Sequence, residues 1–333
     1  MQTIKGPGLF LAQYIGEQAP FNSLEGLAGW AAGLGFKALQ IPCNHPHLFD
    51  LETAAHSQNY CDDVAGRLAE YGLVISELST HLEGQLIAVH PAYNHAFNDF
   101  APSTVRHHHT ERQQWAVNAL TNAAAASEKL GLRAHATFSG ALARRWRPIL
   151  DVFDHHGVDV CYELHPSEDL HDGISFERFL DAVDNHPRCH VLYDPSHMRL
   201  QHMDYLAFID IYHDRIRAFH VKDAEFIPSG KSGVYGGYQP WTERAGRFRS
   251  PGDGQIDFKS IFSKLAQYDY PGWAVLEWEC CLKEAETGAR EGAEFIRRHI
   301  IPVAGKAFDD FAATTSDHQA IRNMLGLEGE NAS

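Results

Sequence analysis

Two rhythms of apolar and polar residues take turns along this 333-residue chain. Short apolar, β-prone runs occupy 8–14, 38–42, 74–80, 134–138, 159–165, 190–194, 216–221 and 274–279. Between them, 24–34, 60–71, 111–130, 142–155, 175–183, 205–212, 258–268 and 284–299 carry apolar residues at helical spacing. Asn22-Ser23 is placed to cap the first of these helices, and several end in a glycine turn, as at Leu34-Gly35, Tyr71-Gly72 and Leu130-Gly131. Strict alternation of strand and helix predicts a parallel sheet, because each crossover returns the chain to the same edge. Eight such units predict an α/β fold, a single (β/α)8 barrel over 1–303, rather than an open sheet. No Gly-x-Gly-x-x-Gly turn follows the first strand, which argues against a dinucleotide site. Segments 83–106 and 223–255 exceed ordinary loops and follow the third and seventh strands. Residues 304–333 read as a C-terminal extension, helical as far as Leu327 and then frayed.

Charge narrows the function. Lys plus Arg is 28 and Asp plus Glu is 43, a net −15. A surface of that sign does not suit a phosphate backbone or an anionic membrane. No apolar run approaches the ~18–20 residues of a membrane helix. The start MQTIKGPGLF lacks a basic stretch followed by an apolar one, so no leader is expected. Cys43, Cys61, Cys161, Cys189, Cys280 and Cys281 form no Cys-x-x-Cys pair and read as reduced thiols of a cytoplasmic protein.

Chemistry gathers at the ends of the last four barrel strands. Side chains alternate along a strand, so barrel interiors take every second residue. In CYELHP, Glu163 and His165 share a face. In LYDPSH, Asp194 ends the strand and His197 follows it. In AFHVKD, His220 and Lys222 share a face, as do Glu277 and Glu279 in VLEWE. A barrel brings these ends together at its C-terminal mouth, where TIM-barrel enzymes build their sites. Three carboxylates buried beside one imidazole repel one another unless some take up protons or a divalent cation sits between them. Oxygen ligands favour Mg2+ or Mn2+, and the imidazole tilts the choice toward Mn2+, Co2+ or Zn2+. His81 follows the third strand and points at the same mouth, as a substrate or metal-shell residue or a loop hydrogen bond. Phe10, Tyr14 and Phe138 are read as core or pocket wall. Arg144, Arg145 and Arg147 and the His107–His109 run read as solvated helix surface. Glycines, aromatic residues, Arg247 and Arg249 make 223–255 a lid or pocket wall, with Arg249 a polyol-binding candidate and Asp257 the cap of the next helix.

The ordered set YELHP, YDPSH, HVKD and LEWE resembles the sugar phosphate isomerase/epimerase superfamily of xylose isomerase-like TIM barrels, over about 5–300. The resemblance implies one divalent metal, Mn2+ first, held by Glu163, Asp194, His220 and Glu277. It implies substrate contacts from His197 and Lys222, and proton transfer by Glu163 and Glu277, with Glu279 and His165 as further acid/base candidates. The implied reaction is α-proton abstraction from a ketose, keto-sugar or inosose through a metal-stabilised enediolate.

Three rivals are weighed. The apurinic endonuclease branch needs an Asp-x-His after the seventh strand, where this chain has Asp253-Gly254-Gln255. A lyase of the C-glycoside-deglycosidase kind would take a 3-keto-glycoside through the same first step, eliminate its aglycone and work with a small partner subunit. Segment 223–255 is then the expected wall for the larger substrate. The third rival is a barrel that only binds sugar. A homo-oligomer is expected by likeness, with the C-terminal extension as its candidate interface.

Overall fold

The computed structural model describes residues 3–140, 143–234, 238–303 and 318–326. Among them, eight parallel strands close into a barrel: β1 (Lys5–Phe10), β2 (Ala38–Pro42), β3 (Val74–Ser79), β4 (Ala134–Thr137), β5 (Asp159–Glu163), β6 (Cys189–Tyr193), β7 (Ile216–Val221) and, closing it against β1, β10 (Trp273–Leu276). Two further strands, β8 (Asp223–Phe226) and β9 (Gly246–Arg249), pair antiparallel outside the barrel. No described helix is long and apolar enough to cross a membrane.

Local chemistry accounts for the element ends. Ser23 accepts a hydrogen bond from Gly26 N and starts the helix Leu24–Gly33. Asp257 accepts from Ser260 N and starts Phe258–Gln267, the cap expected of it. Helix His109–Lys129 closes at Leu130, and Gly131 turns the chain at φ +69° toward β4.

The barrel interior is layered. Ala136, Cys161, Leu192 and Ala218 form a buried apolar layer of their own. Each sits two residues before Phe138, Glu163, Asp194 and His220, on the same strand face. Small apolar side chains thus floor the mouth, and the polar residues stand above them.

The structure corrects several element boundaries. β1 starts at Lys5 and stops at Phe10, so Tyr14 lies in the turn beyond, against Trp30 at 5.0 Å. β10 stops at Leu276, so Glu277 and Glu279 sit just past the strand. Two helices, Leu51–His56 and Gln58–Glu70, replace the one expected before β3. A six-residue helix, Pro195–Leu200, follows β6; it is too short for a periodic signal. The segment after β7 is no plain loop: its ends form the β8–β9 ribbon. Residues 227–245 separate the two strands, so no tight-turn sequence marks them. Residues 235–237 of that segment lie outside the described residues. Met1–Ile301 form one compact unit and Pro302–Ser333 another. In the second, His318–Met324 is helical, and 304–317 and 327–333 lie outside the described residues.

Asp223 ties the ribbon down. Its buried carboxylate accepts from the backbone N–H groups of Ala224 (2.8 Å), Gly252 (2.9 Å), Gly254 (2.9 Å) and Ile256 (3.3 Å). A Cβ on Gly254 would fall 2.2 Å from Asp223 Oδ1, so this close approach needs glycine. Replacing Asp223 with Ala leaves these amides without their acceptor. We expect a stability loss on the order of 3 kcal/mol by chemical denaturation, with faster amide exchange at 252–256. An unchanged midpoint would contradict this role.

Candidate metal centre and active site

Four strands deliver the cluster. Glu163 ends β5, Asp194 follows β6, His220 lies in β7 and Glu277 follows β10. All four are buried, and one ligand atom from each lies within 4.8 Å of the others. Octahedral bonds of about 2.1 Å put opposite donors about 4.2 Å apart, so the set is close to the size of one coordination sphere. Asp194 is oriented by its own sequence. Pro195 starts the short helix, and Asp194 Oδ1 caps it by accepting from Ser196 N at 2.8 Å. Its Oδ2 is buried and accepts no hydrogen bond. His197 Nε2 lies 3.5 Å and Lys222 Nζ 3.9 Å from that oxygen, and a buried carboxylate oxygen without a hydrogen bond among other acids fits a cation.

His220 is held from two sides. Its Nδ1 lies 2.9 Å from Glu277 Oε2 and its Nε2 lies 2.9 Å from Gln40 Oε1. With Nε2–H donated to Gln40, loss of the other proton leaves the Nδ1 lone pair for a metal. Glu277 Oε1 accepts from Gln13 Nε2 at 3.1 Å. Glu163 stands between two imidazoles: His197 Nε2 lies 3.0 Å from Oε1 and His81 Nε2 lies 3.1 Å from Oε2. Lys222 is buried, 3.3 Å from Glu277 and 3.2 Å from Glu279, under the Phe248 ring at 4.4 Å.

Charge is shared out among these groups. Burial pushes each carboxyl up, but His197 and His81 hold Glu163 well below the usual carboxylate range. Lys222 and His220 likewise hold Glu277 down, to about 2. Burial, with Glu163 and Glu277 nearby, pushes Asp194 well up against the opposing pull of Lys222. Burial would lower His220, but Glu277 raises it to about 9. Burial, then Lys222 and His165, lower His197 to about 3. Burial also lowers His165. Two carboxylates held low, Glu163 and Glu277, therefore face two cations, Lys222 and His220, and Asp194 is the acid of the three that burial pushes toward its neutral form.

The structure gathers most of the candidates expected from sequence. His81, His197, His165 and Lys222 surround the four acids and imidazole, with the His165 ring 4.2 Å from that of His197. Glu279 stands at the rim, 40% exposed. Phe10 lies 5.6 Å from the His220 ring and Phe138 4.6 Å from that of His81, so both wall the mouth. Arg249 is placed differently: on β9 it donates to Glu225 Oε1 at 2.7 Å, as does Arg247 at 2.6 Å. Neither makes a hydrogen bond or ion pair with the cluster among the described residues. Arg147 pairs with Asp184 on the surface, and His107–His109 lie outside the site at the start of an outer helix. Gln13 and Gln40 were not anticipated. Gln40 was legible, because the alternation that picks Glu163 also points Gln40 inward between buried neighbours; Gln13, beyond β1, carried no such signal.

A family model described as xylose isomerase-like TIM barrel matches residues 28–299. The chain belongs to that family. Among curated relatives, an inosose dehydratase of Bacillus velezensis is 34% identical over 125 residues, 37% of this chain and 41% of the relative. The chain thus matches less than half the length of that relative. A xylose isomerase domain protein from Planctomyces limnophilus has the same fold, with TM-score 0.62, 15% identity and coverage of 90% of this chain and 98% of that one. An L-ribulose 3-epimerase structure does too, with TM-score 0.61, 14% identity and coverage of 99% and 100%.

Two expectations follow. His220 carries a proton near neutral pH that a cation must displace, so metal binding should release at least one proton there and weaken as pH falls. Calorimetric titration of Mn2+ in two buffers of different ionisation heat reads this number. Equal heats in both would contradict the charge assignment. Gln40→Leu removes the acceptor that fixes the His220 tautomer and should weaken Mn2+ binding by about 10-fold or more. Unaltered affinity would remove Gln40 from the site.

Proposed function

We propose that the chain is a divalent-metal-dependent sugar isomerase or epimerase that removes the proton beside the carbonyl of a ketose, keto-sugar or inosose. The observation that carries this is the buried Glu163, Asp194, His220 and Glu277 set at the C-terminal mouth, with Lys222 and His197 against it. Binding a sugar needs neither so many buried charges nor so dry a floor. A divalent cation held by these four residues, with Mn2+ the first candidate, would act as a Lewis acid on the substrate carbonyl and stabilise the charge left by deprotonation.

The chain's own groups supply the proton chemistry. Glu163 and Glu277 are ionised at neutral pH, so either can accept the α-proton. They come from β5 and β10, with β6 and β7 between them in the barrel order. A sugar seated over Asp194 and His220 therefore meets one carboxylate from each side. Lys222, protonated and 3.3 Å from Glu277, can return a proton through that carboxylate. His197 and His81 steer Glu163 and are placed to hydrogen-bond substrate hydroxyls. Glu279 and His165 stand at the entrance as further proton carriers.

A second reading has its own support in the relatives named inosose dehydratase. From the same carbanion, a hydroxyl β to the carbonyl can leave with a proton from Lys222. Water departs and an enone remains, so this is a lyase.

Both readings are tested in D2O with the Mn2+-loaded protein and a panel of ketoses, inosose and 3-keto-glycosides followed by NMR. Deuterium should appear next to the carbonyl, and Glu277→Gln should slow this exchange by about 10²–10⁴-fold. A new isomer marks the epimerase and an enone marks the lyase. Absence of exchange across the panel, with metal bound, would sink both.

A further inference from the structure

A second space opens beside the cluster. A cavity of about 620 Å3 is bounded by Leu82, Val89, Tyr93, Phe97 and Phe100 on one side and by Phe138 and His165 on another. The last two are shared with the site. Phe138 touches the His81 ring at 4.6 Å and His165 touches the His197 ring at 4.2 Å. His81 and His197 are the two imidazoles on Glu163. The cavity therefore begins at the Glu163 side of the metal-ligand set and runs outward under segment 82–100.

Resting on the reaction proposed above, we propose that this cavity is a subsite for a flat, uncharged aromatic substituent of the sugar. The substrate is then a keto-glycoside with an aryl aglycone.

Three properties argue for this occupant. The first is size: a bare sugar ring seated over the four ligands leaves the cavity empty, and its volume lies within the ~300–1,000 Å3 range that holds drug-sized ligands. The second is the wall: rings of Tyr93, Phe97, Phe100 and Phe138 offer edge and face contacts to another aromatic ring. The third is charge: among the lining residues there is no Lys or Arg, whereas Glu168 and Asp169 are present. A phosphate would meet no Lys or Arg there and would lie beside Asp169, which favours an uncharged substituent over a phosphorylated one.

Glu168 adds a polar anchor. Burial, then the neighbouring Asp169, push its carboxyl up to about 8, so at neutral pH it can donate a hydrogen bond to a phenolic oxygen. It follows Ser167, held at φ +78°, a conformation uncommon for a residue with a side chain. The lining comes from 82–100, 138–140 and 165–169.

The test compares phenyl and methyl β-D-glucopyranoside, which cannot react, by calorimetry on the Mn2+-loaded protein. The phenyl glycoside should bind about 10-fold tighter or more. Two variants, Ala88→Trp to fill the cavity and Phe97→Ala to remove one wall, should each cut that preference to below about 3-fold while inosose exchange stays at the wild-type rate. Equal affinity for the two glycosides, a preference untouched by both variants, or tighter binding of glucose 6-phosphate than of the phenyl glycoside would each overturn the subsite. Exchange on inosose without any phenyl preference removes the subsite and keeps the reaction. Phenyl preference without exchange on any keto-sugar keeps the subsite and removes the reaction.

Discussion

Three carboxylates buried within one coordination sphere cannot all be charged unless something positive is buried with them. The architecture around the mouth answers that constraint. Lys222 and His220 supply two positive charges from the end of β7 and the residue beyond it, and burial pushes the Asp194 carboxyl toward its neutral form.

The surroundings follow from keeping this cluster dry and oriented. The layer of Ala136, Cys161, Leu192 and Ala218 closes it from below with small apolar side chains. Phe248, carried on the β8–β9 ribbon, covers Lys222 from above and strengthens each electrostatic contact beneath it. The ribbon in turn depends on Asp223, one residue beyond Lys222, which gathers the amides of 252–256. One strand end therefore feeds a charge into the site and anchors its cover.

The barrel divides the labour between its halves. β5, β6, β7 and β10 carry the ionisable set, whereas β1 to β4 contribute Phe10, Gln40, His81 and Phe138, which shape and tune it. The aromatic cavity is lined by the segments after β3 and β4 together with 165–169, which follow Glu163 at the end of β5.

The order of elements and the metal-ligand candidates were legible in the chain, because both are local. Helical spacing, caps such as Ser23 and Asp257, and two-residue alternation are set by neighbours a few positions apart. The same alternation pointed Glu163, Asp194, His220 and Glu277 inward, and barrel closure brought them together. What depends on distant partners was not legible. The inward direction of Gln40 was legible, but its meeting with His220 across 180 positions was not, nor was that of Gln13 with Glu277 across 264. The β8–β9 ribbon joins strands with no turn signal between them, and the pairing of Arg249 with Glu225 on the facing strand carries no local signal. Sequence by itself determined the fold and which strand ends carry charge, since periodicity is a property of the backbone. Only the tertiary structure decided which of those charges are paired, which oxygen is left bare and where the aromatic space opens, because burial and electrostatic balance belong to groups that meet only after the barrel closes.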